Sequence, residues 1–544
     1  MMGRLRSGAW LVLAALLLHG VLVLPNHPGA MTPGALLVFP LELPAILFLM
    51  LALPARGPAT QAARLTIVLA LVVVSLLKLA DFALTIAFSR TFNPLVDLGL
   101  IEAGIRLLAG TLGQPMAALV VLGAILAPIA LGAALWWATG VWARLPLPSA
   151  GHLASGVAAL ASLAVVVAEI GQARGVWRLP AQPPGAAFTA RVGYERATAY
   201  SALFAQMRDF RAQAADDHFA DLETPLDRLA GRDVVVIFVE SYARASFDNP
   251  LYAPTHTATL EAAEPRLADR GLAARSGWLT APIAGGQSWL AHGTLASGLT
   301  VGNQSLYTSM LASERRTLWD FARAAGYDTT AVMPAITMPW PEGETIGFDD
   351  IYPADRLGYR GEPFNWVTMP DQYTLAAFDR LRPELGDQMF AQIALISSHA
   401  PWVPVPDLVD WSEIGDGTIF NDMALAGDPP AVVWQDEDRI REQYRLSVDY
   451  ALETVMDYVA RHPDSDERLT IIVGDHPATL FVAGVNSFDV PMHVIGPPDL
   501  VDSIDQWDWT EGLVPSGALA SWPMAEFRDR FLAAYTTPVA GSPL

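Results

Sequence analysis

The 544-residue chain has no cysteine at all. That excludes disulfide staples, thiol catalysis, cysteine-ligated metal and any cofactor made from a cysteine side chain. Lysine is almost as scarce, with Lys78 the single one. Lysine and arginine together number 34 against 56 acidic residues, giving a net charge of -22. An excess of that size argues against nucleic acid, or an anionic membrane surface, as the main electrostatic partner.

What the chain has in quantity is apolar sequence near its N-terminus. Five segments, 10–24, 35–53, 65–88, 116–142 and 153–170, are nearly uncharged. Most approach the ~20 residues that a spanning helix needs, which predicts five transmembrane helices. Arg4 and Arg6 ahead of the first segment suit a signal anchor, with a cleaved signal peptide as the alternative. With the N-terminus inside, Arg4, Arg6, Arg56, Arg64 and Arg144 fall on the cytoplasmic side and Arg90 and Arg106 in outer loops. An odd number of spans then puts everything after residue 170 outside. Lys78 and Asp81 in "LLKLADFAL", and Glu42 in the second segment, are ionisable residues at a costly depth. They fit either a functional role or, for the i, i+3 pair, mutual neutralisation.

The expected domains are a transmembrane domain over 1–175, a linker with interfacial helices over 176–230, a catalytic domain over 231–500, and a C-terminal helix and tail docking on it over 501–544. The stretch "TFNPLVDLGLIEAGIRLLAGTLG" between the third and fourth spans has the spacing of a surface-lying or connecting helix. In the catalytic region, apolar runs at 233–240, 327–333, 388–398, 468–475 and 490–496 read as buried strands. Residues 317–325 and 444–459 read as helices. Such alternation predicts an α/β domain with a largely parallel central sheet covered by helices, binding ligands beyond the carboxyl ends of its strands.

Three of those strands run into ionisable residues: Glu240, His399, and Asp475 with His476. A lone acidic residue leaving a strand is usually a turn or cap residue, but three such endings on one rim suggest a site. Two carboxylates and an imidazole suit zinc or manganese better than an all-oxygen calcium cage, and one divalent ion is the expectation. Its open position could take Ser288, from "GGQSWLAHGTLASG", as an activated nucleophile. The alternative for Ser288 is a helix N-cap. His292, four residues on, would face the same side, as a phosphoryl contact or a packing residue.

With these residues in hand the chain resembles the membrane-anchored lipoteichoic acid synthases and phosphoethanolamine transferases of the alkaline phosphatase and sulfatase superfamily. "VVVIFVES" is similar to that family's first strand and metal ligand, "GGQS" to its nucleophile loop, "VGDH" to its Asp-His ligand pair, and "SSHAPW" to its substrate-side histidine segment. The resemblance implies a sulfatase-like fold over the catalytic region, with Glu240, Ser288, Asp475 and His476 at the metal. It also implies that Ser288 attacks the phosphorus of a phospholipid headgroup ester and passes the phosphoglycerol or phosphoethanolamine group to an envelope glycan or lipid. His399 and His292 would stabilise the phosphate or move protons. Trp340, Glu342 and Trp289 would contact substrate, with Glu342 standing where the synthases carry a basic residue. Ser288 is followed by Trp289, Leu290 and Ala291 rather than the Pro-x-Arg pattern of sulfatases, which disfavours sulfate ester hydrolysis. A membrane-bound phosphodiesterase or sulfatase-like hydrolase, and a silent scaffold, are the competing readings.

Overall fold

A computed structural model describes residues 2–88, 91–97, 114–382, 385–462 and 467–538. The helix expected between the third and fourth spans falls mostly on 98–113, outside the described residues. The chain divides into two compact units, residues 1–206 and 207–544.

The first unit is helical. Among the described residues, three helices are long and apolar enough to cross a membrane: Pro58–Thr85, Gln114–Ala143 and Ser149–Ala173. The expectation of five is corrected at the second segment, whose helix is too short to span. The first apolar helix, Met2–Val23, rises about 33 Å at ~1.5 Å per residue, enough for a hydrocarbon core of ~30 Å, whereas the second, Glu42–Ala52, rises only about 17 Å. The second is short because segment 35–53 breaks. A first helix, Pro33–Leu37, ends at the extended Val38, and the Pro40 ring cannot continue it. The intramembrane charges do not neutralise each other as a pair. Buried Lys78 donates from Nζ to the Leu22 carbonyl (3.2 Å) and to Thr189 Oγ1 (2.6 Å). Asp81 pairs with Arg196 and accepts the Phe92 N–H, while Glu42 Oε1 accepts the Ala190 N–H. These bonds tie the start of the helix Phe188–Ala215 to the apolar helices, where water is not available to satisfy the same groups.

The second unit is built on one nine-stranded sheet: β1 Asp233–Val239, β2 Ala273–Thr280, β3 Asp328–Met333, β4 Asp350–Pro353, β5 Met389–Leu395, β6 Arg468–Gly474, β7 Asp489–Gly496, β8 Thr510–Glu511 and β9 Trp522–Pro523. The order is β4-β3-β5-β1-β6-β7-β2-β8, with β9 beside β2. From β4 to β6 all pairs are parallel; β7 then runs antiparallel to both β6 and β2. The sheet is therefore mixed and mostly parallel. The five expected strands form close to their expected bounds; β2, β4, β8 and β9 were not foreseen.

Both faces of the sheet are covered. Along β1, Val234, Val236 and Phe238 enter one core, and Val235, Ile237 and Val239 the other. Burial on both sides explains why β1, β5 and β6 are continuous apolar runs rather than alternating ones. One core also holds Leu290 and Leu295 from the helix Ser288–Ser297, together with Phe527 and Phe531 from the C-terminal helix Phe527–Tyr535. The helix Glu437–Arg461 covers the opposite face through Tyr444, Val448, Leu452, Val455 and Val459. The other expected helix forms as Leu318–Ala324, started by a Thr317–Asp320 capping box.

Candidate active site

The register of the sheet assembles the site. Val239, the last residue of β1, pairs with Gly474, the last of β6, so Glu240 and Asp475 leave adjacent strands at the same level. Because β7 reverses direction between β6 and β2, β2 points the same way as β6. It delivers the segment leading to Ser288 to the same edge. β5 ends there too and supplies Ser398 and His399.

Local conformation then aims the side chains. Gly474 has no room for a Cβ: one would lie 1.7 Å from the Tyr242 carbonyl oxygen. This close approach lets the two ligand-bearing strand ends converge. Gly285, Gly286 and Gln287 all have positive φ, forming the turn ahead of the helix, and the Gly285 N–H donates to the Pro477 carbonyl (2.8 Å). The nucleophile loop is thus tied to the segment just after His476. Gln287 takes the N-cap position and Ser288 the first helical one, with no side-chain cap bond. The cap alternative for Ser288 is therefore not what the structure shows. Its Oγ instead donates to Glu240 Oε2 (2.8 Å) and lies 3.2 Å from His476 Nε2.

Glu240, Asp475 and His476 are all buried, with ligand atoms within 4.8 Å of one another. His476 Nε2 lies 3.4 Å from Glu240 Oε1 and 3.7 Å from Asp475 Oδ2. Donors around a tetrahedral ion with ~2.1 Å bonds stand roughly 3.4 Å apart, so the residues present fit a zinc-sized dication. The outer contacts agree. His476 Nδ1 faces the Pro477 carbonyl (3.1 Å), which fixes the proton there and leaves Nε2 with a lone pair. Asp475 Oδ1 accepts the N–H groups of Ser241 (2.8 Å) and His476 (2.6 Å). Burial and the neighbouring Glu240 push the Asp475 carboxyl up to about 6. Burial opposes charge on His476, but Asp475 and Glu240 outweigh it and hold the imidazole above its usual value. Crowded acidic groups of this kind are what a bound cation relieves.

A cavity of about 500 Å³ opens from Ser288. Trp289, His292, Trp340, Glu342 and His399 all line it, so every site residue expected from the sequence is either in the ligand cluster or on this wall. His399 is half-buried; its Nδ1 faces the Ala400 carbonyl (2.6 Å) and its ring meets Trp366 edge-on. Burial lowers its pKa. His292 lies deeper, against the Phe238 ring at 3.9 Å, with Nε2 buried and unbonded. Burial drives its pKa down to about 4, so it is neutral. Trp289 is exposed and donates to Gln304 Oε1 (2.9 Å). Sequence reasoning missed Tyr307, Trp366 and Gln392 on the same wall. No local pattern marks them, because they come from a helix (Gln304–Leu311), a loop and β5 respectively.

Residues 232–497 match the sulfatase family model. No curated protein matches the chain. Among solved structures, it is similar to the lipooligosaccharide phosphoethanolamine transferase A of Neisseria meningitidis, at 14% identity and a TM-score of 0.41, covering 97% of this chain and 95% of that one. It is also similar to a lipoteichoic acid synthase of Listeria monocytogenes (13%, TM-score 0.35, 49% of this chain and 66% of that one). A third is a Streptococcus pyogenes phosphoglycerol transferase in complex with sn-glycerol-1-phosphate (11%, TM-score 0.35, 62% and 86%). The family match runs from the start of β1 to the end of β7, just under half of the chain, and contains Glu240, Ser288, Asp475 and His476: this part of the chain matches the sulfatase family.

Proposed function

We propose that the chain is a membrane-anchored phosphotransferase that moves a phospholipid headgroup onto an envelope glycan or lipid through a phospho-serine intermediate. The observation that carries this reading is the position of Ser288 Oγ, within hydrogen-bond distance of Glu240 and His476 at the start of a ten-residue helix. A dication held by Glu240, Asp475 and His476 would lower the hydroxyl pKa of Ser288 and offset the charge of the phosphoryl group. The positive end of the helix dipole favours the same anionic group. Ser288 Oγ attacks phosphorus, diacylglycerol leaves, and an acceptor hydroxyl later displaces the serine. His399, at the cavity wall, is the residue suited to carry protons to and from the leaving and entering oxygens.

The cavity wall supports an amine-bearing headgroup over phosphoglycerol. Among the described residues its lining includes Glu342, Trp340, Tyr307 and Trp366 and no arginine or lysine. A carboxylate among aromatic rings attracts an ammonium group. The apolar helices of the first unit fit a donor gathered from a bilayer, with the catalytic unit on the exported side.

The test is intact mass measurement of the full chain after incubation with zinc and equal amounts of phosphatidylethanolamine and phosphatidylglycerol, beside Ser288→Ala. The expected result is a phosphoethanolamine adduct on wild type and none on the variant. A phosphoglycerol adduct would overturn the headgroup assignment alone. Equal turnover by the variant would overturn the mechanism.

A further inference from the structure

Ser241 follows Glu240 and is buried, with φ at 57°. That left-handed backbone favours glycine, because a Cβ crowds the following carbonyl. A serine kept there needs a reason that glycine could not supply. All three of its polar groups are engaged. The hydroxyl donates to Glu240 Oε1 (2.8 Å), leaving Oε2 toward Ser288. The backbone N–H donates to Asp475 Oδ1 (2.8 Å), leaving Oδ2 toward His476. The carbonyl, turned inward by the same conformation, accepts from Tyr444 Oη (2.8 Å), so no buried acceptor is stranded.

We propose that Ser241 is a positioning residue for the metal site, its hydroxyl and amide each bonding one oxygen of a carboxylate and so fixing the orientation of both Glu240 and Asp475 toward the ion. The strained backbone is the conformation that lets one residue reach both carboxylates. The hydroxyl thereby sets metal affinity and the aim of Glu240 at Ser288. This rests on the metal-site reading proposed above.

Ser241→Gly keeps the amide, relieves the backbone and deletes only the hydroxyl. Ser241→Ala deletes the hydroxyl and keeps the strain. In the full chain, metal-free Ser241→Gly should melt at or above the wild-type temperature. Both variants should bind zinc about 10- to 100-fold more weakly in competition with a chelator. At saturating zinc, kcat should fall with KM for the lipid donor unchanged. A glycine variant with wild-type zinc affinity and kcat would overturn the proposal. So would one that melts lower yet holds zinc as tightly, since Ser241 would then serve the fold alone. A wild-type chain that takes up neither zinc nor manganese would instead overturn the metal-site reading, and this inference with it.

Discussion

At the residue scale, the two histidines on the cavity wall differ in what burial leaves them able to do. His292 is neutral, held against Phe238 with its pKa pushed down to about 4. Across neutral pH it can exchange hydrogen bonds but contributes no charge. His399 is half-buried, and its Nδ1 is oriented by its own neighbour's carbonyl, which leaves Nε2 for substrate. His399→Ala should therefore cost about 10²- to 10⁴-fold in kcat, the usual contribution of a positioned acid or base, with zinc content unchanged. Steady-state transfer rates beside metal analysis check it. A variant with wild-type kcat would remove His399 from the chemistry. Both histidines were visible in the sequence, but their difference was not. It arises from depth beneath β1, and depth depends on which helix covers which face.

At the scale of elements, the central strands were legible because burial on both faces leaves nothing polar to interrupt them. "VVVIFV" and "LTIIVG" carry that signature plainly. β2, "AARSGWLT", does not. It contains Arg275, Ser276 and Gly277, and only Ser276 to Leu279 are buried. Arg275 is nevertheless paired with Asp505 and Glu511, and Ser276 bridges to His493 and the Gly512 carbonyl. Those partners are more than 200 residues away in sequence, so no local pattern could reveal the strand that carries the chain toward Ser288. Gly474 is a similar case. It reads as an ordinary strand-end glycine, yet its missing Cβ is what allows Tyr242 to pass. Overpacking of this kind costs about 1–3 kcal/mol when the neighbours can shift. Here the obstacle is backbone, so Gly474→Ala should reach or exceed the upper end. It should also part the ends of β1 and β6, lowering both the melting temperature and zinc uptake of the full chain. Wild-type values for both would show that the strand ends tolerate separation.

At the scale of the whole molecule, buried histidines make the stability of the second unit depend on pH in a direction that can be worked out. His493 on β7 is fully buried between Ser276 Oγ (2.7 Å from Nδ1) and Tyr242 Oη (3.0 Å from Nε2). Burial drives its pKa down to about 3. Above the unfolded value of roughly 6.5 the ring is neutral in both states, and its contribution to stability is complete. As pH falls below that value the unfolded chain takes up a proton that the folded chain refuses until about 3. Stability is therefore lost at about 1.4 kcal/mol per pH unit across that window. Asp371 and Asp475, buried and raised to about 6, act in the opposite sense between about 6 and 4. A simple acid titration of the wild type would mix the two effects. Comparison with His493→Gln, which keeps a polar side chain between Ser276 and Tyr242 but cannot titrate, isolates the histidine. The wild-type advantage in unfolding free energy or melting temperature should shrink steadily from pH 7 to pH 4. A constant gap over that range would mean that the unfolded chain gains no proton there that the folded chain refuses, and His493 would not be the buried neutral ring that its bonds to Ser276 and Tyr242 require.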